Sequence, residues 1–145
     1  RIVTYLDKHG EIQVLFAQLY MPVANSIASN TNAIGCAVAV ETGVLSSAIS
    51  LSNPFKKIDY HPNGKGKITG AVLPFWAEAI AICKKTHNEF RELPIIGWDI
   101  AFTPEGPFLI EGNLVWDVEY WQLTHQDVFK ADEFISILKW HLKNN

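Results

Sequence analysis

Residues 97–113 read GWDIAFTPEGPFLIEGN and carry two acids and an amide on short apolar, strand-like runs. Two short apolar runs flank a Pro-Glu-Gly turn, which predicts an antiparallel β-hairpin with a three-residue loop at residues 104–106. The proline fixes φ at the first loop position, and the glycine supplies the left-handed residue at the last. In this register Thr103 lies opposite Pro107, whose missing N–H removes one hydrogen bond from the closing pair. The hairpin residues predicted to face the core are Trp98, Ile100, Phe108 and Ile110.

The same register places two carboxylates and a carboxamide on one face of the hairpin. Asp99 lies directly across from Glu111, with Cβ atoms ~5 Å apart, and Asn113 points the same way two residues further on. Carboxylates this close repel each other unless one is protonated or a cation lies between them. Mg²⁺ is the simplest such cation, because it binds carboxylate and carboxamide oxygens and often carries substrate phosphates. The spacing alone leaves a second interpretation open, a solvated sheet face that tolerates two acids.

The first half of the chain alternates between strand-like segments and loops. Residues 1–20 contain two β-branched-rich runs around Asp-Lys-His-Gly, and residues 34–50 contain two more around Thr-Gly, so each segment is predicted to form a hairpin. Residues 21–33 are small, polar and Asn-rich, which predicts a loop. Residues 51–70 carry two prolines and three glycines, which predicts an ordered loop or lid at most.

Two segments have a helical period. From Pro74 to about Arg91, apolar residues recur at spacings of three and four, and the proline suits the first helical turn. Their predicted buried stripe consists of Trp76, Ile80, Cys83, His87 and Phe90. A second amphipathic helix is predicted over residues 131–143, with Ile135, Leu138 and Leu142 on its apolar stripe. The element order therefore predicts an α+β fold, an antiparallel sheet whose helices cover one face.

Composition limits the functional classes. The 145 residues are enough for one domain with a real core, so residues 1–145 are predicted to be a single domain. A net charge of -3 argues against a nucleic-acid partner, and the longest apolar run is too short to span a membrane. Cys36 and Cys83 fit no paired motif, which indicates reduced, buried thiols in a cytoplasmic protein. Because the chain starts at Arg1 on a strand-like run, we expect a piece of something longer.

Several quoted segments together resemble one protein family. RIVTY, ETG, HPNGKGKITG, LPFW and IGWDIAF with GPFLIEGN are similar to the sugar-transfer-associated ATP-grasp family, over residues 1 to about 122. The resemblance implies the C-terminal lobe of an ATP-grasp domain, with ATP and Mg²⁺ as cofactors. It also implies that Asp99, Glu111 and Asn113 bind the metal ions of ATP and that Arg1 contacts phosphate as a catalytic group.

The sequence departs from related ligases in three places. Asn25 matches their loop Asn, a second candidate catalytic residue, but Asn32 and Ala33 stand where a Gly-Gly pair is expected. A side chain there keeps the backbone further from phosphate than glycine does. Many relatives carry an Arg two residues before the metal Asp, and this chain has Gly97. The N-terminal lobe of the family has no counterpart in the chain, which is therefore expected to supply half of a site.

Other candidate residues keep two interpretations each. His61 and Lys65, beside Lys67 in a Gly-rich loop, are candidate cofactor contacts that close over an acceptor or phosphate, or else they form a solvated turn. His87 is interpreted as a satisfied histidine at the edge of the core. The aromatic residues after the acidic motif either wall an adenine or sugar site or pack the tail on the sheet: Trp116, Tyr120 and Trp121.

Two functions from different classes remain, beside a third interpretation as a metal-free structural α+β domain. The first is the ATP- and Mg²⁺-dependent part of a carboxylate-amine ligase with an acyl-phosphate intermediate. Its substrate is a small carboxylate or a sugar-linked molecule in saccharide or cell-surface polymer biosynthesis. The second is a non-catalytic lobe that binds nucleotide or a partner chain. Where the missing lobe would pack, exposed apolar surface is expected to promote self-association.

Overall fold

The computed structural model describes residues 1–23, 33–50, 53–64, 66–125 and 131–144. Within these ranges the chain forms one seven-stranded antiparallel sheet and three helices, which confirms the predicted α+β class. The strand order is β5-β4-β3-β2-β1-β6-β7. The elements are β1 (Ile2–Leu6), β2 (Ile12–Pro22), β3 (Ala33–Val38), β4 (Ala48–Ser50), β5 (Asn53–Ile58), α1 (Trp76–Asn88), β6 (Ile95–Thr103), β7 (Gly106–Asn113), α2 (Val118–Thr124) and α3 (Ala131–Asn144). None of these helices is long and apolar enough to cross a membrane.

The two N-terminal hairpins form as predicted, but the loops after them are shorter than expected. β2 continues through Pro22 and β3 begins at Ala33, so the ends of the predicted 21–33 loop belong to strands. Residues 51–70 also contain β5, which pairs with β4 through Ala48 and Ile58. The prediction of a loop was wrong here because β5 is an edge strand, where a proline such as Pro54 is tolerated.

The helices lie on both faces of the sheet, not on one. Ile2 packs in a core cluster with residues of α1, whereas its neighbour Val3 packs with Phe16 and Trp121 of the α2 side. Consecutive residues of a strand point to opposite faces, so α1 covers one face and α2 with α3 the other. All six residues of β3 are buried, as expected for a strand covered on both sides. The prediction of a single covered face was therefore wrong.

Helix α1 buries most of the stripe predicted for it. Trp76, Cys83 and His87 are buried, together with Ala79. The helix begins at Trp76, after Phe75 in a left-handed conformation, so Pro74 precedes the first turn and does not form part of it. Phe90 lies beyond the last helical residue and is 43% exposed, contrary to the prediction.

Helix α3 forms as predicted but packs with a different face. Ile135, Leu138 and Leu142, the predicted buried stripe, are all exposed. Phe134 contacts the rings of Trp116 and Trp121 instead, and His141 Nε2 donates to the Leu6 carbonyl at 2.7 Å. The helix carries apolar residues on two faces, and periodicity alone does not say which of them meets the sheet.

Candidate functional site

The β6–β7 hairpin brings Asp99 opposite Glu111, as predicted, but its turn and strand register differ from the predicted ones. The strands close one residue earlier than expected, with Thr103 paired to Gly106, which leaves a two-residue turn. A β-bulge between the Asp99 and Ile100 pairs then adds one residue to β7 and restores the predicted partner of Asp99.

The bulge also changes which residues of β7 face the core. Leu109 pairs with Ile100 and packs against the main core cluster. Phe108 and Ile110, which were predicted to be buried, are 66% and 60% exposed. Because Phe108 pairs with Ala101, two residues from Asp99, it lies on the same face as the acidic pair. Apolar surface therefore borders the carboxylates.

A row of charged and polar residues crosses four strands at this level of the sheet. The backbones of Gln18 and Arg1 exchange two hydrogen bonds. Ile2 pairs with Trp98, so the β1–β6 register extended by one residue places Arg1 opposite Asp99. Arg1 Nε donates to Asp99 Oδ1 at 2.8 Å and Nη2 donates to Oδ2 at 2.9 Å, a bidentate ion pair. The bond to Asp99 raises the pKa of Arg1, against the lowering effect of its burial. Glu111 ends the row on β7.

The three predicted metal ligands lie together at the end of this row. Glu111 is exposed opposite Asp99, and Asn113 Nδ2 donates to Glu111 Oε1 at 3.2 Å. Two carboxylates and a carboxamide supply the hard oxygen donors that suit Mg²⁺. Among the described residues, His, Cys, Asp and Glu form no cluster of three that could hold a metal, so a metal bound here would need the amide oxygen of Asn113 as a third donor.

A cavity of about 890 Å³ opens above the row, on the face covered by α2. Two of the residues in its wall, Tyr20 and Asp117, were not predicted from the sequence, whereas Tyr120 was one of the aromatic residues interpreted as a possible wall. The Tyr20 and Tyr120 rings meet edge to face at 5.2 Å. Burial raises the pKa of Tyr20, whose hydroxyl accepts a hydrogen bond from the buried Gln18 amide. Asp117 Oδ1 accepts from the backbone N–H of Tyr120 and so caps α2.

The structure explains why Gly97 stands where many relatives carry an arginine. A Cβ at Gly97 would lie 3.2 Å from Trp116 Cβ and 3.3 Å from the Trp116 ring, so Trp116 occupies the space that an arginine side chain needs. Arg1 approaches Asp99 from the neighbouring strand β1 instead. A guanidinium therefore stands beside the first acidic residue, although the sequence lacks it at the expected position.

The remaining candidate residues lie elsewhere. His61 Nδ1 accepts from the Asn63 N–H and Nε2 donates to the Pro22 carbonyl, both at 3.2 Å, so this ring braces its loop against the end of β2. It lines a separate cavity of about 300 Å³ with Lys67. Asn25 and Lys65 lie outside the described residues.

The aromatic residues after the acidic motif divide between core and cavity. Trp121 stacks on Phe16 with ring centroids 4.4 Å apart and is 2% exposed. Trp116 contacts the rings of both Phe16 and Trp121. The interpretation that these residues pack the tail on the sheet is confirmed for the two tryptophans, whereas Tyr120 lines the cavity.

Comparison with known proteins agrees with the resemblance seen in the sequence. The model of the family described as sugar-transfer-associated ATP-grasp matches residues 1–134 of the 145-residue chain. No curated protein and no solved structure gave a match. The matched region contains the Arg1–Asp99–Glu111 row and the cavity above it. The chain therefore belongs to the sugar-transfer-associated ATP-grasp family.

Proposed function

We propose that the chain is the C-terminal lobe of an ATP-grasp ligase and carries the phosphate and metal half of its ATP site. The observation that supports this most directly is the row across β1, β6 and β7, in which Arg1, Asp99 and Glu111 are neighbours. Asn113 bonds to Glu111 beside a cavity. A second lobe completes the nucleotide site in this proposal.

The reaction follows the chemistry of carboxylate-amine ligases. An acceptor carboxylate oxygen attacks the γ-phosphorus of ATP, the bond to ADP breaks, and an acyl phosphate forms. An amine then attacks the acyl carbon, inorganic phosphate leaves, and the amine loses a proton to give an amide. A sugar-linked carboxylate is the substrate class that the family description favours.

The residues have distinct roles in this proposal. Asp99, Glu111 and Asn113 hold Mg²⁺, which when bound neutralises charge on the transferred phosphoryl group. Asp99 orients Arg1 through two of the five guanidinium N–H donors, so Arg1 keeps further donors for a phosphate oxygen. Tyr20 and Tyr120 line the same cavity, where they would contact the acceptor.

Calorimetric titration with Mg²⁺ and ATP tests the proposed ligands. We expect Glu111→Gln to weaken Mg²⁺-dependent ATP binding at least about tenfold, because the substitution removes the ligand charge. Glu105→Gln, in the exposed turn of the same hairpin, is the matched control and should bind like the wild type. Equal binding by wild type and Glu111→Gln would contradict the assignment.

A second candidate function is a lobe that binds nucleotide or a partner without chemistry. The Arg1–Asp99 pair favours it, because Arg1 balances the charge of Asp99 and engages both of its carboxylate oxygens. The same titration separates the two functions. ATP binding that is equal in Mg²⁺ and in EDTA supports the binding lobe, whereas binding that requires Mg²⁺ and Glu111 supports the ligase.

A further inference from the structure

The backbone that carries the proposed ligands rests on a buried tryptophan. Gly112 lies between Glu111 and Asn113 and pairs with Trp98 on β6. A Cβ at Gly112 would lie 2.7 Å from Trp98 Cζ3 and 3.1 Å from Cε3, so the indole ring packs directly on the glycine backbone. Trp98 is 3% exposed and points toward α1, on the face opposite the acidic row.

A chain of three hydrogen bonds fixes this tryptophan ring. Trp98 Nε1 donates to Thr4 Oγ1 at 2.8 Å, Thr4 Oγ1 lies 2.6 Å from His87 Nδ1, and His87 Nε2 lies 2.9 Å from the Leu93 carbonyl. Thr4 and His87 are fully buried.

Only one arrangement of protons satisfies every member of the chain. A carbonyl accepts only, so His87 Nε2 carries the proton and Nδ1 of the neutral ring is the acceptor. The Thr4 hydroxyl must then donate to His87 and accept from Trp98. A buried network with each donor and acceptor paired holds its side chains in a single geometry.

We propose that Thr4 and His87 are positioning residues for the site, because they fix the Trp98 ring against which the Glu111–Gly112–Asn113 backbone packs. This inference rests on the proposed function, since it concerns how the proposed metal ligands are held. Loss of the Thr4 hydroxyl frees the Trp98 ring on the α1 face, and the Gly112 backbone of β7, on which the ring packs, loses its support. Removing a group that hydrogen-bonds directly to a metal ligand typically costs about 10–100-fold in metal affinity, and because Thr4 acts through the Trp98 ring we expect a loss at the lower end of this range.

The test uses the 145-residue chain with Mn²⁺ alone as the probe, followed by paramagnetic broadening of the amide signals of residues 111–113. Thr4→Val removes the hydroxyl at nearly constant shape, and Thr4→Ser keeps it. The Trp98 indole N–H signal reports directly whether its hydrogen bond is lost. Ser46→Ala is the matched control, because it removes a hydroxyl that accepts from the Ala37 N–H of β3, at a distance of three strands from the hairpin.

We expect Thr4→Val to shift the indole signal and to weaken Mn²⁺ binding about tenfold, with Thr4→Ser and Ser46→Ala within twofold of the wild type. Unchanged Mn²⁺ affinity in Thr4→Val, with the indole signal shifted, overturns the positioning role and leaves the proposed metal site intact. An equal loss in Ser46→Ala also overturns it, because the effect is then one of general stability. A wild-type chain without broadening at residues 111–113 overturns the proposed metal site and the positioning role together.

Discussion

The two faces of the β6–β7 hairpin have opposite properties at the same level of the sheet. On the α1 side, Trp98 packs on Gly112 and its N–H is paired in a buried chain of hydrogen bonds. On the α2 side, Asp99 and Glu111 face a cavity and retain access to solvent. One residue step along each strand separates a closed, satisfied surface from an open, charged one.

This difference shows how the fold tolerates two neighbouring acids. The free energy that holds the hairpin in place comes from apolar burial on the α1 side, so the other face can carry charge at little cost to folding. Arg1 offsets part of the repulsion by pairing with Asp99. The two faces should therefore respond differently to mutation.

Truncation of the closed face should cost the most. Trp98→Ala removes a buried indole and leaves the Thr4 hydroxyl without its donor, so we expect the free energy of unfolding to fall by about 3–5 kcal/mol. Phe108→Ala on the open face removes a ring that is 66% exposed and should change stability by about 0.5 kcal/mol or less. Urea unfolding followed by circular dichroism measures both. Similar losses for the two variants would contradict the distinction between the faces.

Acid should weaken the packing of the α2 side through His125, the buried residue that directly follows α2 and meets the Phe16 ring edge to face. Burial lowers the pKa of His125 from 6.5 to about 4, so the unfolded chain binds this proton more tightly than the folded one. Its contribution to stability is fully present above pH 6.5 and is lost as the pH falls toward 4, a change of about 3 kcal/mol. His125→Gln, which does not titrate in this range, is the comparison. Urea unfolding at pH 7.5 and 4.5 should show a smaller loss in the variant, and equal losses would contradict the assignment.

The features that depend on short stretches of sequence were predicted well. The pairing of Asp99 with Glu111, the stripe of α1 and both N-terminal hairpins follow from turn residues and periodicity within short windows. Even in the β6–β7 hairpin, two differences between the predicted and the observed register cancelled each other. The turn is one residue shorter than expected and the bulge adds one residue back. The predicted pairing of Asp99 with Glu111 is therefore correct, whereas the predicted burial of Phe108 and Ile110 is wrong.

The rest depends on contacts between distant segments. The Arg1–Asp99 pair needs β1 beside β6, and the Thr4–His87–Trp98 chain needs α1 against both strands. Nothing in a local window specifies these neighbours. The face of α3 that packs is likewise decided by the sheet and not by the period of the helix. Asp117 is the exception among the missed cavity residues, because an Asp before a helix is an N-cap signal.

Substitution of Gly112 tests how firmly the closed face is held. An added Cβ in Gly112→Ala meets the Trp98 ring at 2.7 Å, and the ring cannot withdraw while its N–H is bonded to Thr4. We expect a loss of about 1–3 kcal/mol in the free energy of unfolding. Gly35→Ala is the matched glycine control, since its Cβ would lie at an ordinary 3.4 Å from Thr124 Cγ2. In the Thr4→Val background the cost of Gly112→Ala should shrink, because the ring is then free to move. A cost that is the same in both backgrounds would show that the hydrogen bond does not hold the ring.

The smallest effect on stability should come from the ion pair of the open face. The Arg1 and Asp99 side chains are 19% and 29% exposed, and a partly exposed pair contributes about 1 kcal/mol or less, reduced further by salt. Arg1→Met should therefore lower the free energy of unfolding by no more than this in low salt, and the difference should narrow in 1 M salt. Arg1→Lys keeps the charge but loses the bidentate geometry, so its stability should lie between those of the wild type and Arg1→Met. In the proposed site Arg1 also contacts phosphate. Calorimetry should therefore show that each variant loses more free energy of binding to ATP with Mg²⁺ than it loses free energy of unfolding. If either variant lost several kcal/mol of stability, Arg1 would be essential for folding. The claim that the open face can change at little cost to folding would then be wrong.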